Sequence, residues 1–360
     1  MEGKRFQQVG KHQAPRRAQL IPVLAVAGLA FALIGVSRFA VAMNDSDDPQ
    51  AASPTTSVPS PTSTSEPPRD KGEPRPRRSG SDKESRKETR KNSEQLRKKV
   101  QKAAKKEEAP PLTFRLSSFN VLGHSHTVPG GTHGGRGFAP GTSRIAAAAG
   151  MIRGAGVSVV GLQEYEPPQH NVFVRNTGWG VYPGMQLGTA GVRNSIAWND
   201  AVWSLVEAHT IQIPYFRGNR VPMPYILLEH AETGRRAWFI NIHNPASNAR
   251  RGNNQHWRTV ATGMEIALMN QLKASGTPVF LMGDFNERNE AFCRVTVAAD
   301  ALAANGGTGG PPCQMPAGAG IDWIFGTSED VAFSGYRRVE TRTSDHPMIV
   351  TDVTLTGPAE

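Results

Sequence analysis

From Leu112 onward, apolar and polar positions alternate in short runs bounded by glycine and proline; the chain before it has no such pattern. Phe114, Leu116, Ser118 and Asn120 share one face of a period-two stretch, which predicts a strand whose buried face turns polar at its end. Ile145, Ala148, Ala149 and Ile152 recur at helical spacing behind a Ser/Thr start, with Gly154 and Gly156 as the stop. Val157 to Leu162 reads as a short buried strand running straight into Gln163 and Glu164. Trp238 to His243 is another, with Asn241 and His243 on the same face. A second helix is expected from Asn254 to about Ala274, with Trp257, Val260, Ala261, Met264, Leu268 and Leu272 as its apolar stripe. Val279 to Met282 then delivers Gly283-Asp284-Phe285-Asn286, and Ile321 to Phe325 and Met348 to Leu355 are the last strands. Strands outnumber helices and the helices fall between strand groups. The pattern predicts one mixed α/β layered domain over 112–360, without an internal repeat and with polar residues placed where strands end.

The first 111 residues are of another kind. Lys4, Arg5, Lys11, Arg16 and Arg17 precede an apolar run from Leu20 to Val36, and Asp45, Asp47 and Asp48 follow it. That asymmetry predicts the N-terminus inside and the rest outside. Residues 1–43 are therefore expected to be a basic stub with a transmembrane anchor, extended through Phe39 to Ala42. The alternative is a signal peptide cleaved after Ala40-Val41-Ala42. We favour the anchor, which puts the globular domain on the outer side of the cell membrane; cleavage would make the protein secreted. Residues 44–111 begin rich in Ser, Thr and Pro and continue as a dense mixed-charge run, together expected to be a disordered linker. From Lys83 the run lacks breakers and reads as a solvated helix. A plain spacer is the leading reading of the basic run, and contact with envelope polyanions or lipid head groups is its functional alternative.

Charge changes the picture only by its location. The chain carries a formal +10, but residues 1–111 hold 22 Lys/Arg against 13 Asp/Glu, and 112–360 hold 19 against 18. The basicity belongs to the tether and is no electrostatic footprint for the globular part. The two cysteines, Cys293 and Cys313, are expected to form one disulfide in an exported domain, ahead of two buried thiols.

The candidate chemistry lies at the strand ends. Asn120, Glu164, Asn241, His243, Asp284, Asn286, Asp322, Asp345 and His346 bring carboxylates, carboxamides and imidazoles to separate strand termini. A hard divalent cation such as Mg²⁺ takes one or two carboxylates plus waters and phosphate oxygens, a task that suits Asn120 and Glu164. Hydrolysis of a phosphoester also needs a base for water and donors for charge developing on phosphorus. Asp284 with Asn286 suits the first, and His243 and His346 the second, with Asp322 or Asp345 fixing an imidazole tautomer.

The blocks SSFNVLG (117–123), GLQEYE (161–166), INIH (240–243), MGDFNE (282–287), IDWIF (321–325) and SDHP (344–347) resemble, in order, those of the deoxyribonuclease I-like endonuclease/exonuclease/phosphatase superfamily. The resemblance spans about 112–356. It implies a four-layer sandwich, two packed mostly antiparallel sheets flanked by helices with the site at one rim. It also implies a metal-dependent hydrolase working with Mg²⁺, or with Mn²⁺ or Ca²⁺. By position, Asn120 and Glu164 match metal-site residues, and Asp345 an acidic residue that also reaches the metal. His243 matches the histidine on the scissile phosphate, Asp284 the aspartate that orients or deprotonates water, and Asn286 its phosphate-contacting neighbour. Asp322 and Asp345 match the histidine–carboxylate network, and His346 a site histidine. Leu122 stands where the apurinic-site repair branch has an acidic residue, so that branch loses support. No long aromatic hairpin of the membrane-inserting kind is apparent, which weakens a sphingomyelinase-like reading. A phosphodiester substrate is expected, nucleic acid slightly ahead of phospholipid or inositol phosphate, cut by a monomer. A binding module without turnover is the different-class alternative. His124 and His126, in a glycine-rich loop, are expected to be surface histidines rather than contacts to substrate or a second metal. Of the pairs Arg235-Arg236, Arg250-Arg251 and Arg337-Arg338, at least two are expected to be ordinary solvated arginines.

Overall fold

The computed structural model describes residues 111–356, together with residue 87 and residues 90–98. The expected anchor or leader and the Ser/Thr/Pro-rich stretch lie outside the described residues. Residues 90–98 are helical and exposed throughout, with Lys98 3.3 Å from Glu94 one turn back, as befits a helix without an apolar stripe. Among the described residues no helix is long and apolar enough to cross a membrane.

In the first sheet, β1 (Leu112–Asn120) runs parallel to β2 (Val159–Gln163) and antiparallel to β12 (Met348–Leu355). With β3 (Gly180–Tyr182), β4 (Ser195–Trp198) and β11 (Val331–Val339) the order is β11-β12-β1-β2-β4-β3. In the second, β7 (Arg236–His243) runs parallel to β8 (Val279–Asp284), flanked by β6 (Arg220–His230) and β10 (Asp322–Thr327). The edges are β5 (Trp203–Pro214) and β9 (Ala301–Ala303), giving β5-β6-β7-β8-β10-β9. Every other pairing is antiparallel. A parallel pair needs a crossover, supplied by α1 (Gly141–Gly154) in the first sheet and α3 (Gln255–Lys273) in the second. No repeat is visible in the sequence, yet each sheet centres on the same strand–helix–strand unit.

Three apolar clusters make four layers. Phe114, Leu116, Phe239, Phe280, Ile324 and Val353 fill the space between the sheets. Ile145, Ala148, Ile152, Val160, Leu162 and Phe173 join the first sheet to α1 and α2 (Pro167–Thr177). Ile240, Leu281, Leu268, Met269, Phe292 and Trp323 join the second to α3 and α4 (Asn289–Ala298). This is the expected sandwich. The expected disulfide is also present: Cys293 on α4 bonds Cys313 in the loop ahead of β10, with Cα atoms 5.9 Å apart.

Two expectations are corrected. The buried face of α3 is Arg258, Ala261, Thr262, Glu265, Leu268, Met269 and Leu272, while Val260 is exposed. The helix is rotated from the purely apolar stripe because it buries a polar network: Arg258 and Gln255 both donate to Glu287 Oε1, at 3.1 and 2.5 Å. Second, Asp322 opens its strand, and Asp345 and His346 precede theirs, rather than ending them. β10 and β12 are antiparallel to β8 and β1, so their starts lie at the rim where β1, β2, β7 and β8 finish.

Candidate active site

Alternation carries each inner face from apolar to polar as it reaches this rim. On β1, Phe114 and Leu116 in the inter-sheet core lead to Ser118 and Asn120; on β8, Phe280 and Met282 lead to Asp284. Beneath the rim Gln163 donates to Ser118 Oγ (3.1 Å) and Asn241 Oδ1 (2.6 Å), while Asn241 donates to Leu162 O and Ser195 O. This buried amide layer ties the two sheets together under the site. Gly161 makes room for it, since a Cβ there would meet Asn241 Oδ1 at 2.5 Å.

The same turn presents the leading residue of each sheet. Asn120 Oδ1 accepts Leu122 N–H (3.1 Å) and Asp284 Oδ1 accepts Asn286 N–H (2.9 Å), with Leu122 and Asn286 both at φ +51. Glu164, just past β2, is likewise left-handed at φ +55. A left-handed residue other than glycine costs about 1–2 kcal/mol, so three at one rim mark a backbone held in place by its surroundings.

Across the sheets, Asn120 Nδ2 bridges Glu164 Oε1 (3.2 Å) and Asp284 Oδ2 (3.1 Å). Two histidines approach the same Asp284 oxygen, His243 Nε2 at 3.6 Å and His346 Nε2 at 3.7 Å. His346 Nδ1 meets both oxygens of Asp322 at 3.0 Å. Burial alone would lower the basicity of His346, but the hydrogen bond and charge of Asp322, with Asp284 and Asp345 nearby, push it up to about 10. Burial, reinforced by Asp322, raises the Asp284 carboxyl against the pull of His243 and His346. Burial also acts to raise Glu164, yet His243, His126, the Gly123 N–H and Asn120 together hold it below the ordinary carboxylate value. The Tyr215 hydroxyl, pushed up by burial beside Glu164 and Asp284, lies 3.5 Å from His243 Nε2.

Of the eight residues given a role, Asn120, Glu164, His243, Asp284, Asp322 and His346 form this connected set. Asn286 stands beside it, its amide donating to Asn244 O at 2.9 Å. Asp345 lies off the chain of contacts: its Oδ2 meets His133 Nε2 at 3.2 Å, and Asp322 is the carboxylate on His346. The loop histidines are not plain surface residues. His126 Nδ1 sits 3.4 Å from Glu164 Oε2, and the His126 and His133 rings stack 6.3 Å apart. Of the arginine pairs Arg251 reaches the rim with its guanidinium 4.5 Å over Phe216, next to Tyr215, while Arg338, beside the start of β12, pairs with Glu340, and Arg236 pairs with Glu229. Tyr215 and Phe216 tip a long β5–β6 hairpin missed in the sequence, but both are partly buried there. Arg144 and Gln163 were also absent from the expected set, and Asn241 stood in it without a role. A lone arginine on the apolar stripe of α1 was the available signal for the first, and inner-face alternation for the second.

Asp284, Asp322 and His346 offer ligand atoms within 4.8 Å of one another. Their closeness is explained by the imidazole bonding Asp322, as a histidine–carboxylate pair does without a metal. On the opposite side Glu164, held ionised beside the Asn120 amide, is the hard oxygen donor that fits a divalent ion.

The family model described as Endonuclease/Exonuclease/phosphatase family matches residues 117–346. The chain belongs to this family. It is thereby a metal-dependent hydrolase of phosphoester bonds, the endonuclease/exonuclease/phosphatase fold carrying the site at its rim. No curated protein sequence matches it. Among solved structures it is similar to an endonuclease/exonuclease/phosphatase family protein from Bacteroides thetaiotaomicron, at 15% identity and TM-score 0.53, covering 69% of this chain and 96% of that one. A mannosyl-6-phosphatase of the same organism gives 16% and 0.51, covering 67% and 99%. The catalytic domain of human Nocturnin with a bound sulfate anion gives 14% and 0.52, covering 69% and 97%. At these identities the likeness is one of fold.

Proposed function

We propose that the chain hydrolyses phosphodiester bonds outside the cytoplasm by in-line attack of water, with Asn120 and Glu164 holding a divalent ion, joined by Asp345. The observation that carries this is Asn120 Nδ2 reaching Glu164 and Asp284 together, so that an ion site on one sheet abuts a proton-handling set on the other. A bound ion, Mg²⁺ or in its place Mn²⁺ or Ca²⁺, would supply positive charge against the negative charge developing on the phosphoryl oxygens. Asp284, its carboxyl raised by burial, takes the proton of the attacking water. His346, kept protonated by Asp322, holds a proton at Nε2 for the phosphoryl or leaving oxygen. His243, 3.5 Å from the Tyr215 hydroxyl, donates to the scissile phosphate.

Nucleic acid is the favoured substrate. Arg251 over Phe216 sets a cation and an aromatic face beside the His243 edge, suited to a phosphate next to a base. The near-balanced charge of 112–360 favours short or flexible strands over long duplex. The Cys293–Cys313 disulfide supports an oxidising compartment, and the apolar run at 20–36 supports export, with membrane attachment ahead of secretion. We take the active form to be a monomer. The purified protein should be tried on plasmid DNA, RNA, sphingomyelin, phosphatidylinositol phosphates and a chromogenic phosphodiester, with and without Mg²⁺. Metal-dependent cleavage of DNA or RNA is expected. Turnover of lipid or inositol substrates alone replaces the nucleic-acid reading, and turnover of none rejects the diesterase.

A further inference from the structure

Arg193, in the turn between the short helical segment Gly188–Gly191 and β4, stands outside the chain of contacts around Asp284, yet it is fixed beside Glu164. Its carbonyl accepts Tyr165 N–H at 3.0 Å, and its Nη2 donates to Glu166 Oε1 at 2.9 Å. Glu166 is buried and holds its place: it also accepts Ser125 N–H and Oγ–H, each at 2.7 Å. Ser125 belongs to the β1–α1 loop, which the buried Arg144 guanidinium clamps through Val121 O, Gly123 O and Thr343 O. The Arg193 side chain is nonetheless half exposed, and its Nε and Nη1 have no acceptor among the described residues. A guanidinium held at one corner loses little freedom when its other N–H groups meet an anion.

Arg251 approaches the same place from the second sheet. Its guanidinium lies over Phe216, whose ring is 4.4 Å from that of Tyr215, and the Tyr215 hydroxyl stands 3.5 Å from His243 Nε2. Segment 188–191, just before Arg193, packs against β6, the strand that leaves this hairpin tip. The charges of both arginines act on the Tyr215 hydroxyl, against those of Glu164 and Asp284.

We propose that Arg193 and Arg251 bind a second phosphate of the substrate, flanking the one that is cut, with the Tyr215 hydroxyl between them. A lone diester carries one negative charge, which His243 and His346 already face. Two further guanidiniums at the edge of the site suit another phosphate, whose oxygens match their forked donors. The substrate is then a diester with a phosphate next door, as an internal linkage of a nucleic acid is, and as a phosphorylated inositol lipid is too.

This rests on the proposed diester hydrolysis, and the test keeps the two apart. The full chain is assayed with Mg²⁺ on thymidine nitrophenyl diesters, joined through either hydroxyl of the sugar, with and without a phosphate on the other. Glycerophosphoinositol, with and without a phosphate on its ring, is the further pair that tells an inositol source from a nucleotide one. In at least one pair the second phosphate should raise kcat/KM at least about tenfold, as a charge-assisted bidentate contact allows. Arg193→Gln and, separately, Arg251→Gln should each cut that ratio at least about fivefold, whereas an arginine that only supports the fold would slow both members alike. A ratio below about threefold in every pair, or one that both variants retain, overturns the subsite. If the wild type turns over no ester, the diesterase reading fails and calorimetry decides the subsite alone. Thymidine bisphosphate should then bind at least about tenfold more tightly than either thymidine monophosphate, an advantage lost in Arg193→Gln. Equal binding overturns it.

Discussion

His346 and Asp322 are paired at the rim, Nδ1 standing 3.0 Å from both carboxylate oxygens while Nε2 faces Asp284. Asp322→Asn removes the charge that keeps the imidazole protonated. Turnover at pH 7 should drop about 10²–10⁴-fold, as for loss of a positioned acid–base group. The wild type should hold its rate until the pH approaches about 10, where His346 loses its proton, and the basic limb of Asp322→Asn should fall at lower pH. Stability follows the same group. Its folded value exceeds the ordinary 6.5, so the pair stabilises fully below about pH 6.5 and is lost as pH rises through about 10. Melting curves of wild type and variant should converge over that window. Superimposable pH–rate profiles would remove Asp322 from this role.

The strand core, the two crossover helices and the disulfide were legible because burial writes a period on the sequence, as in Phe114–Leu116 or Ile145–Ala148–Ile152. Site residues were legible where they sat in short, ordered blocks. Contacts made by loops against those blocks were not: nothing in the spacing of His126 and His133 says that they fold onto Glu164 and Asp345. The α3 stripe was misplaced for a related reason. Hydrophobicity alone cannot foresee that Arg258, Thr262 and Glu265 are buried, because their partners Glu287 and Asn244 lie on other elements.

Asp284 is buried beside Asp322, and its carboxyl is raised by burial and by that neighbour. Asp284→Asn removes the base and keeps the size of the side chain, with its amide oxygen left to accept Asn286 N–H and an NH₂ standing where Oδ2 accepts from Asn120. A rate loss of at least about a hundredfold is expected. Near-wild-type turnover would sink the assignment of the base.

Arg144 should be a stability residue first and an activity residue through the loop. Arg144→Met leaves several buried carbonyls without donors, so unfolding free energy should fall by at least about 3 kcal/mol. Denaturant unfolding measures this directly. A change below about 1 kcal/mol would mean that water replaces the guanidinium at Val121 O and Gly123 O.

Glu265 sits fully buried under the turn that carries Asn286: its Oε2 is 3.4 Å from Asn244 Nδ2, and Asn244 O accepts from Asn286. Burial, opposed by the Asn244 hydrogen bond, pushes its carboxyl up to about 8, so it is neutral at pH 7. Glu265 Oε1 and Asn244 Oδ1 are both buried without a hydrogen-bond partner, and a proton on the carboxyl spares a buried, unpaired negative oxygen. A raised acid stabilises fully below its unfolded value of 4.5, and that stability is lost as pH rises through about 8. Glu265→Gln keeps the shape and the donor without the charge. Its melting temperature relative to wild type should climb between pH 4.5 and 8 and level off above. Glu265→Ala, which opens a cavity and strips Asn244 of its partner, should lose stability at every pH and slow turnover through Asn286. A flat difference between Glu265→Gln and wild type across that range would show that the carboxyl is already ionised in the native protein.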